Sequence, residues 1–129
     1  MTDGLADTSF FIAAESGRPI DEGAVPDRLA VSVITLGELR AGVLAAGDTM
    51  TRHVRLTTIG WALRLNPLVI DDRVAEAWAA LRVHLRELGR RMPVNDSWIA
   101  ATAIAFGIPV VTQDDDYSVG VPGLEVIRV

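Results

Sequence analysis

Asp7, Glu38, Asp96 and the run Asp114-Asp115-Asp116 stand where apolar segments of this 129-residue chain give way to polar ones. Asp7 follows Gly4-Leu5-Ala6, and Glu38 comes soon after Ala30-Val31-Ser32-Val33-Ile34. Asp96 begins an apolar helix, and the triplet follows Ile108-Pro109-Val110-Val111-Thr112. Acids at strand ends and helix starts of an α/β chain can converge in one cleft. Carboxylates within ~4–6 Å of one another raise each other's pKa and repel unless a cation intervenes. A donor set of hard oxygens selects Mg²⁺ or Mn²⁺ over Zn²⁺ or copper. Such an ion can activate water and neutralise a phosphodiester transition state, and a second ion can assist the leaving oxygen.

Each acid also has a local reading. Asp7 can cap the following helix by accepting from the N–H of Ser9 or Phe10. Thr35-Leu36-Gly37-Glu38 fits a capping box, with Glu38 reaching back to the N–H of Thr35. Asp96 fits an N-cap, and Ser97 can cap or can hold an acid or water. Asp115 reads as a solvated turn residue, while Asp114 and Asp116, two apart, can serve one site. Taken singly, these local roles suffice; the joint placement around one cleft favours a metal site. His53 and His84 read as exposed helix residues with no acid at metal-ligand spacing. The chain carries no nucleophile elbow, phosphate-binding glycine loop, dinucleotide fingerprint or HExxH.

The elements that must position these acids follow from the apolar pattern. Leu5-Ala6-Asp7 predicts a short buried strand, followed by a helix through Phe10 to Ala14. Gly17, Pro19, Gly23 and Pro26 punctuate a loop. Leu29 to Ile34 predicts a second strand suited to a parallel sheet covered on both sides. Helices are expected from Thr35 to about Ala46 and from Met50 to about Leu65, the latter stopped by Asn66-Pro67. Leu68-Val69-Ile70 predicts a third strand. Asp71 or Asp72 caps a helix to Leu88, closed by Gly89. Its stripe of Val74, Trp78, Leu81, Leu85 and Leu88 reads as core, with a homodimer face as the alternative. A helix from Ser97 to Phe106, ended by Gly107, is apolar almost all round and hence central. Val110-Val111-Thr112 and Glu125 to Arg128 are the last strands. The alternation implies an α/β domain spanning 1–129, with a mainly parallel sheet of about five strands and helices on both faces.

Composition narrows the class. Half the residues are apolar and 22% are charged, which fits a folded globular chain. Cysteine is absent, which excludes disulfides and thiolate metal sites. No stretch of ~18 apolar residues predicts a membrane span, and the N-terminus lacks the pattern of a signal peptide, so a cytoplasmic protein is expected. The formal net charge is −5. Setting aside the five candidate acids Asp7, Glu38, Asp96, Asp114 and Asp116 leaves 12 acids against 12 basic residues, all arginine. Charge therefore neither supports nor excludes a nucleic-acid partner. Arg73, Arg82, Arg86, Arg90 and Arg91 make 73–91 the most basic stretch; they can track an RNA backbone or form a solvated helix face.

With the acids placed, the chain resembles a PIN-domain ribonuclease of the VapC toxin type. The likeness covers essentially the whole sequence. It rests on Leu5-Ala6-Asp7-Thr8-Ser9, Ser32-Val33-Ile34-Thr35-Leu36-Gly37-Glu38-Leu39, Asn95-Asp96-Ser97-Trp98-Ile99-Ala100-Ala101 and Val110-Val111-Thr112-Gln113-Asp114-Asp115-Asp116-Tyr117, in that order. The resemblance implies a PIN-like three-layer sandwich and an Mg²⁺-dependent endoribonuclease, with Mn²⁺ as a substitute. It implies that Asp7, Glu38 and Asp96 form the metal-site core, Asp7 and Asp96 being the most direct ligands. The fourth acid would be Asp114 or Asp116. Thr8, Ser9, Ser97 and Thr112 match the hydroxyls that support the acids in that family. The likeness further implies homodimers and a VapB-type antitoxin whose C-terminal segment blocks the acids, often through an arginine. The substrate would be a tRNA or ribosomal RNA, cut to leave a 5′-phosphate and a 3′-hydroxyl, so that translation and growth stop.

Two other classes are weaker. A phosphohydrolase of the haloacid-dehalogenase kind needs an acid where Ser9 stands and a lysine, and this chain has none. A catalytically silent PIN-like interaction module would not need the full acid set.

Overall fold

The computed structural model describes residues 3–129. The elements run β1 (Asp3–Ala6), α1 (Thr8–Ser16), a 3₁₀ turn (Glu22–Ala24), β2 (Arg28–Val31), α2 (Val33–Leu44), α3 (Thr49–Leu63), α4 (Asp72–Leu88), α5 (Val94–Phe106), β3 (Val110–Thr112) and β4 (Val126–Arg128). The strands form one sheet in the order β2-β1-β3-β4, and every pairing is parallel. Strand order reverses at β1: the chain steps to β2 on one side and later returns to β3 on the other. The carboxyl end of β1 is therefore a topological switch point, where open α/β sheets leave a crevice for a ligand.

Alternation along the short strands sends side chains to opposite faces. Leu5 and Val110 pack with Val74, Leu81, Leu85 and Ile99, so α4 and α5 cover one face. Ala6 and Val111 pack with Phe10, Phe11, Val31, Leu36, Leu39, Ile59 and Ala62, so α1, α2 and α3 cover the other. The three-layer sandwich expected from the sequence is thus formed around two cores. Of the α4 stripe, Val74, Leu81 and Leu85 are buried, Trp78 is half-buried and Leu88 is exposed. In α5 the buried residues Ser97, Ile99, Ala100, Ala101, Thr102 and Ala103 spread around the helix, as expected for a central element. Gly89 and Gly107 end α4 and α5 in the left-handed conformation that a Cβ disfavours. Among the described residues no helix is long and apolar enough to cross a membrane.

The sheet has four strands, not about five. The segment expected as a third strand, Leu68 to Ile70, makes only an isolated parallel bridge between Leu68 and Ser32. Leu68 N–H donates to Val31 and its carbonyl accepts from Val33 N–H. Pairing stops there because Val33 already begins α2. Helix α2 itself starts two residues before the expected Thr35. Ser32 is its cap, accepting from Ile34 N–H at 3.0 Å.

Gly4 fixes the spacing of the strands that frame the switch point. A Cβ at this position would come within 2.6 Å of Val111 Cγ2 and 2.8 Å of Pro26 Cγ. Gly4→Ala is predicted to destabilise the fold by about 1–3 kcal/mol through overpacking. Urea unfolding of the two proteins measures this; an unchanged midpoint would show that the strands can spread without cost.

Candidate active site

Asp7 leaves the carboxyl end of β1 and is 2% exposed. Its side chain is the N-cap of α1, with Oδ1 accepting from Phe10 N–H at 3.1 Å and from Ser9 Oγ at 2.7 Å. Its other oxygen accepts from Thr112 Oγ1 at 2.6 Å, at the end of β3. Thr112 Oγ1 in turn accepts from Asp114 N–H, and Ser9 Oγ accepts from Gln113 N–H. Hydroxyls from α1 and β3 thus tie the ends of two neighbouring strands to one carboxylate. Burial pushes the Asp7 carboxyl above its usual range, against the pull of its three donors, and the charge of Asp114 adds to the rise.

Glu38 lies in α2 and is half-buried. Because Ser32 is the cap, the expected capping box between Thr35 and Glu38 does not form. Glu38 instead turns to α1, where its Oε1 accepts from Thr8 Oγ1 at 2.5 Å. The Thr35 hydroxyl, fully buried, lies 3.1 Å from that of Thr8. Asn95 Nδ2 makes a long contact of 3.5 Å with the other Glu38 oxygen, joining α2 to the start of α5.

Asp96 sits in the first turn of α5, not at its cap; the helix begins at Val94 behind Pro93, so the expected N-cap role is corrected. The rigid ring of Pro93 makes an earlier start favourable, since Ser97 N–H can bond to the Pro93 carbonyl. Burial, then the charge of Asp116, then that of Asp7, are the forces that push the Asp96 carboxyl up to about 7. The Tyr117 hydroxyl works against this rise by favouring the ionised form. That hydroxyl is buried close to Asp96 yet forms no bond of good geometry. Burial and the charges of Asp7 and Asp96 hold it far above the usual phenol range. The sequence assigns Tyr117 no role beyond closing the motif Val110 to Tyr117, directly after the acid run.

Asp114 and Asp116 differ in burial and in the acid whose ionisation each opposes. Asp114 is half-buried and acts on Asp7, while the exposed Asp116 acts on Asp96. Asp115 is exposed and pairs with Arg128 of β4. Among the described residues, no three of the acids gather closely enough to hold an ion as the side chains stand. Thr8, Ser9 and Thr112 do contact acids, but Ser97 does not. Its buried hydroxyl donates to the Val94 carbonyl at 2.5 Å and accepts from Trp78 Nε1 at 3.0 Å, because its position on α5 faces α4. The arginines divide as well. Arg73 lies 4.3 Å over the Phe106 ring and 3.9 Å from Asp71. Arg82, Arg86, Arg90 and Arg91 line one pocket with Leu85 and Met92. His53 is exposed and His84 half-buried, and neither joins the acids.

The raised carboxyl of Asp96 has a consequence for stability. Between its ordinary value near 3.8 and about 7, folded Asp96 keeps a proton that the unfolded chain has released. Its contribution is therefore fully present in acid and is lost as pH rises through 7. Asp96→Asn is predicted to melt at a higher temperature than wild type at pH 8 in EDTA, and the gap should shrink toward pH 5. Parallel melting curves across that range would show that Asp96 is not electrostatically strained.

A family profile described as PIN domain matches residues 5–119. The chain is 52% identical to ribonuclease VapC5 of Mycobacterium tuberculosis over 128 residues, covering 98% of this chain and 95% of that protein. It is also 52% identical to ribonuclease VapC4 of the same organism, over 97% of this chain and 95% of the relative. Among solved structures, the crystal structure of VapBC-5, a member of the VapBC family of toxin-antitoxin systems from Mycobacterium tuberculosis, superposes with a TM-score of 0.92. That match has 47% identity and covers 100% of both chains. Matched in sequence and in fold along nearly its full length, the chain belongs to the PIN-domain family and to its VapC branch.

Proposed function

We propose that this chain is a divalent-metal-dependent endoribonuclease toxin, with Mg²⁺ as its ion and Mn²⁺ as a substitute. The observation that carries the reading is the acid set at the switch point. Asp7, Asp96, Asp114, Asp116 and Glu38 come from different elements, and Asp96 is driven to about 7 by burial and by its acidic neighbours. Such a set is strained when empty of cations, and a hard divalent ion relieves it. The fit rests on donor chemistry: every candidate donor is an oxygen, and the chain has no cysteine. The side chains do not form a ready three-acid cage, so the acids would hold an ion only after adjusting to it.

Asp7, Asp96, Glu38, Asp114 and Asp116 are the residues we assign to hold the ion, Asp7 and Asp96 most directly. When bound, the ion supplies a Lewis acid for the phosphodiester and lowers the pKa of a bound water. The chain's own residues do the rest. Ser9 and Thr112 donate to Asp7 and fix both of its oxygens, and Thr8 orients Glu38. With its three donors in place, Asp7 presents a set geometry without reorganisation at the moment of reaction. The products would be a 5′-phosphate and a 3′-hydroxyl.

The relatives named VapC and the toxin-antitoxin structures support a VapB-type antitoxin as partner and inhibitor. We extend this to a homodimer of one domain, residues 1–129, acting in the cytoplasm on a tRNA or ribosomal RNA to inhibit translation. Among the described residues no three acids form a ready cage, and this favours one other reading, a catalytically silent PIN-like interaction module.

The two readings part on activity. Purified protein is expected to cut a structured RNA with Mg²⁺ or Mn²⁺ and to stop with EDTA. Asp7→Asn and Asp96→Asn should each lower the rate roughly 100-fold or more, while melting stays cooperative. Full activity in either variant would remove that residue from the metal site. No cleavage by wild type at any divalent ion concentration would favour the silent module.

A further inference from the structure

Arg82, Arg86, Arg90 and Arg91 surround one open pocket floored by the buried side chains of Leu85 and Met92. All four arginines are exposed, and among the described residues none of them is ion-paired. Elsewhere on the surface, Arg28, Arg73 and Arg128 each have an aspartate partner. Four guanidiniums without an ion-pair partner around one hollow repel each other, and an anion relieves that repulsion. Guanidiniums bind phosphate bidentately through planar pairs of donors, so phosphate is the anion they match best.

The pocket is tied to the acids in two ways. Arg91 is five residues before Asp96, so the connecting chain spans at most roughly 18 Å. That length corresponds to about five nucleotides at the ~3.4 Å spacing of one strand in a duplex. The second tie is an aromatic ladder. Arg82 lies 5.2 Å over the Trp78 ring, which stacks on Trp98 at 4.4 Å with planes 3° apart. Trp78 Nε1 then bonds to Ser97, the neighbour of Asp96 in the first turn of α5. Arg82, Trp98 and Ser97 thus all engage Trp78, which links the rim of the pocket to the first turn of α5.

We propose that this pocket is a phosphate-binding subsite for the backbone of the RNA strand, within about five nucleotides of the cleaved bond. It rests on the ribonuclease reading above and deepens it by naming the surface that holds the substrate. Arg73 is not part of it, being engaged by Phe106 and Asp71. Because phosphate contacts carry no sequence information, the subsite grips any single strand, and choice of the cleaved RNA lies elsewhere.

The test is binding, measured apart from cleavage. Fluorescence anisotropy with a labelled oligouridylate in EDTA compares wild type with the double variant Arg86→Gln/Arg90→Gln across a salt series. Loss of two phosphate contacts should weaken binding about 5- to 10-fold at low salt and reduce the salt slope by roughly 1.4, at about 0.7 per contact on a single strand. The control Arg52→Gln/Arg64→Gln, at exposed positions within α3 and at its C-cap, should bind as wild type. Equal affinity and slope for wild type and the Arg86/Arg90 variant would overturn the subsite. An equal loss in the α3 control would overturn it too, by reducing the effect to net charge. A variant that keeps RNA binding but loses binding of a polyglutamate peptide would overturn it in favour of an acidic protein partner. Because cleavage plays no part, failure here leaves the nuclease reading standing, and an inactive wild type that still binds through these arginines would fail that reading alone.

Discussion

The buried carboxylate of Asp7 is the constraint on which the rest of the structure depends. A charge without partners at 2% exposure would cost several kcal/mol. Here Ser9 and Thr112 hydroxyls and the Phe10 N–H complete it. Two of those donors belong to α1 and the third to β3, so satisfying Asp7 also fixes the angle at which α1 leaves β1 and the register of β1 beside β3. The cap role and the site role are therefore one arrangement. The N–H donor that starts the helix is the same one that orients the carboxylate.

Around that fixed point the electrostatics are unfavourable. The N-terminal turn of α5 favours a carboxylate at Asp96 through the helix dipole, yet burial and the charges of Asp116 and Asp7 outweigh it and lift the group to about 7. Arg128 neutralises only Asp115, the member of the triplet turned away from the cleft. No arginine is ion-paired with Asp7, Glu38, Asp96, Asp114 or Asp116 among the described residues. A protein selected for stability alone would place a base here. In the function proposed above, the uncompensated acids are the counterpart of a cation that arrives from solution.

What could be read from the sequence depended on whether the deciding force was local. Glycines at 89 and 107 and the acid at 71 mark helix ends by their own backbone preferences, and those ends were found. The start of α2 was misplaced because Ser32 and Thr35 both cap well, and only the bridge between Ser32 and Leu68 decides between them. That same contact reduced the expected strand at 68–70 to one residue. The acids were found as a group by their positions at element ends. Which acid the charges of Asp114 and Asp116 act on depends on the path of the turn after β3, which no periodicity encodes. Ser97 was misassigned for a related reason: one helical step turns its hydroxyl from the acids to Trp78.

The placement of the acids on both sides of the sheet explains why two cores are needed for one site. Glu38 rides on α2, which packs on the face of Ala6 and Val111, and Asp96 rides on α5, which packs on the face of Leu5 and Val110. The two helices meet over the end of β1, where Asn95 reaches Glu38. The thickness of the sandwich at that point, set by residues such as Leu36 and Leu39 on one side and Ile99 and Ala100 on the other, limits how far these helices and their acids can shift. Small side chains along α5 let it lie close to the strands, and Gly4 lets β1 lie close to β3 and the Pro26 turn. Since packed interiors resist both expansion and collapse, this thickness is held firmly. The acids can thus be forced into mutual repulsion by packing far larger in total than the repulsion itself, as the proposed metal site requires.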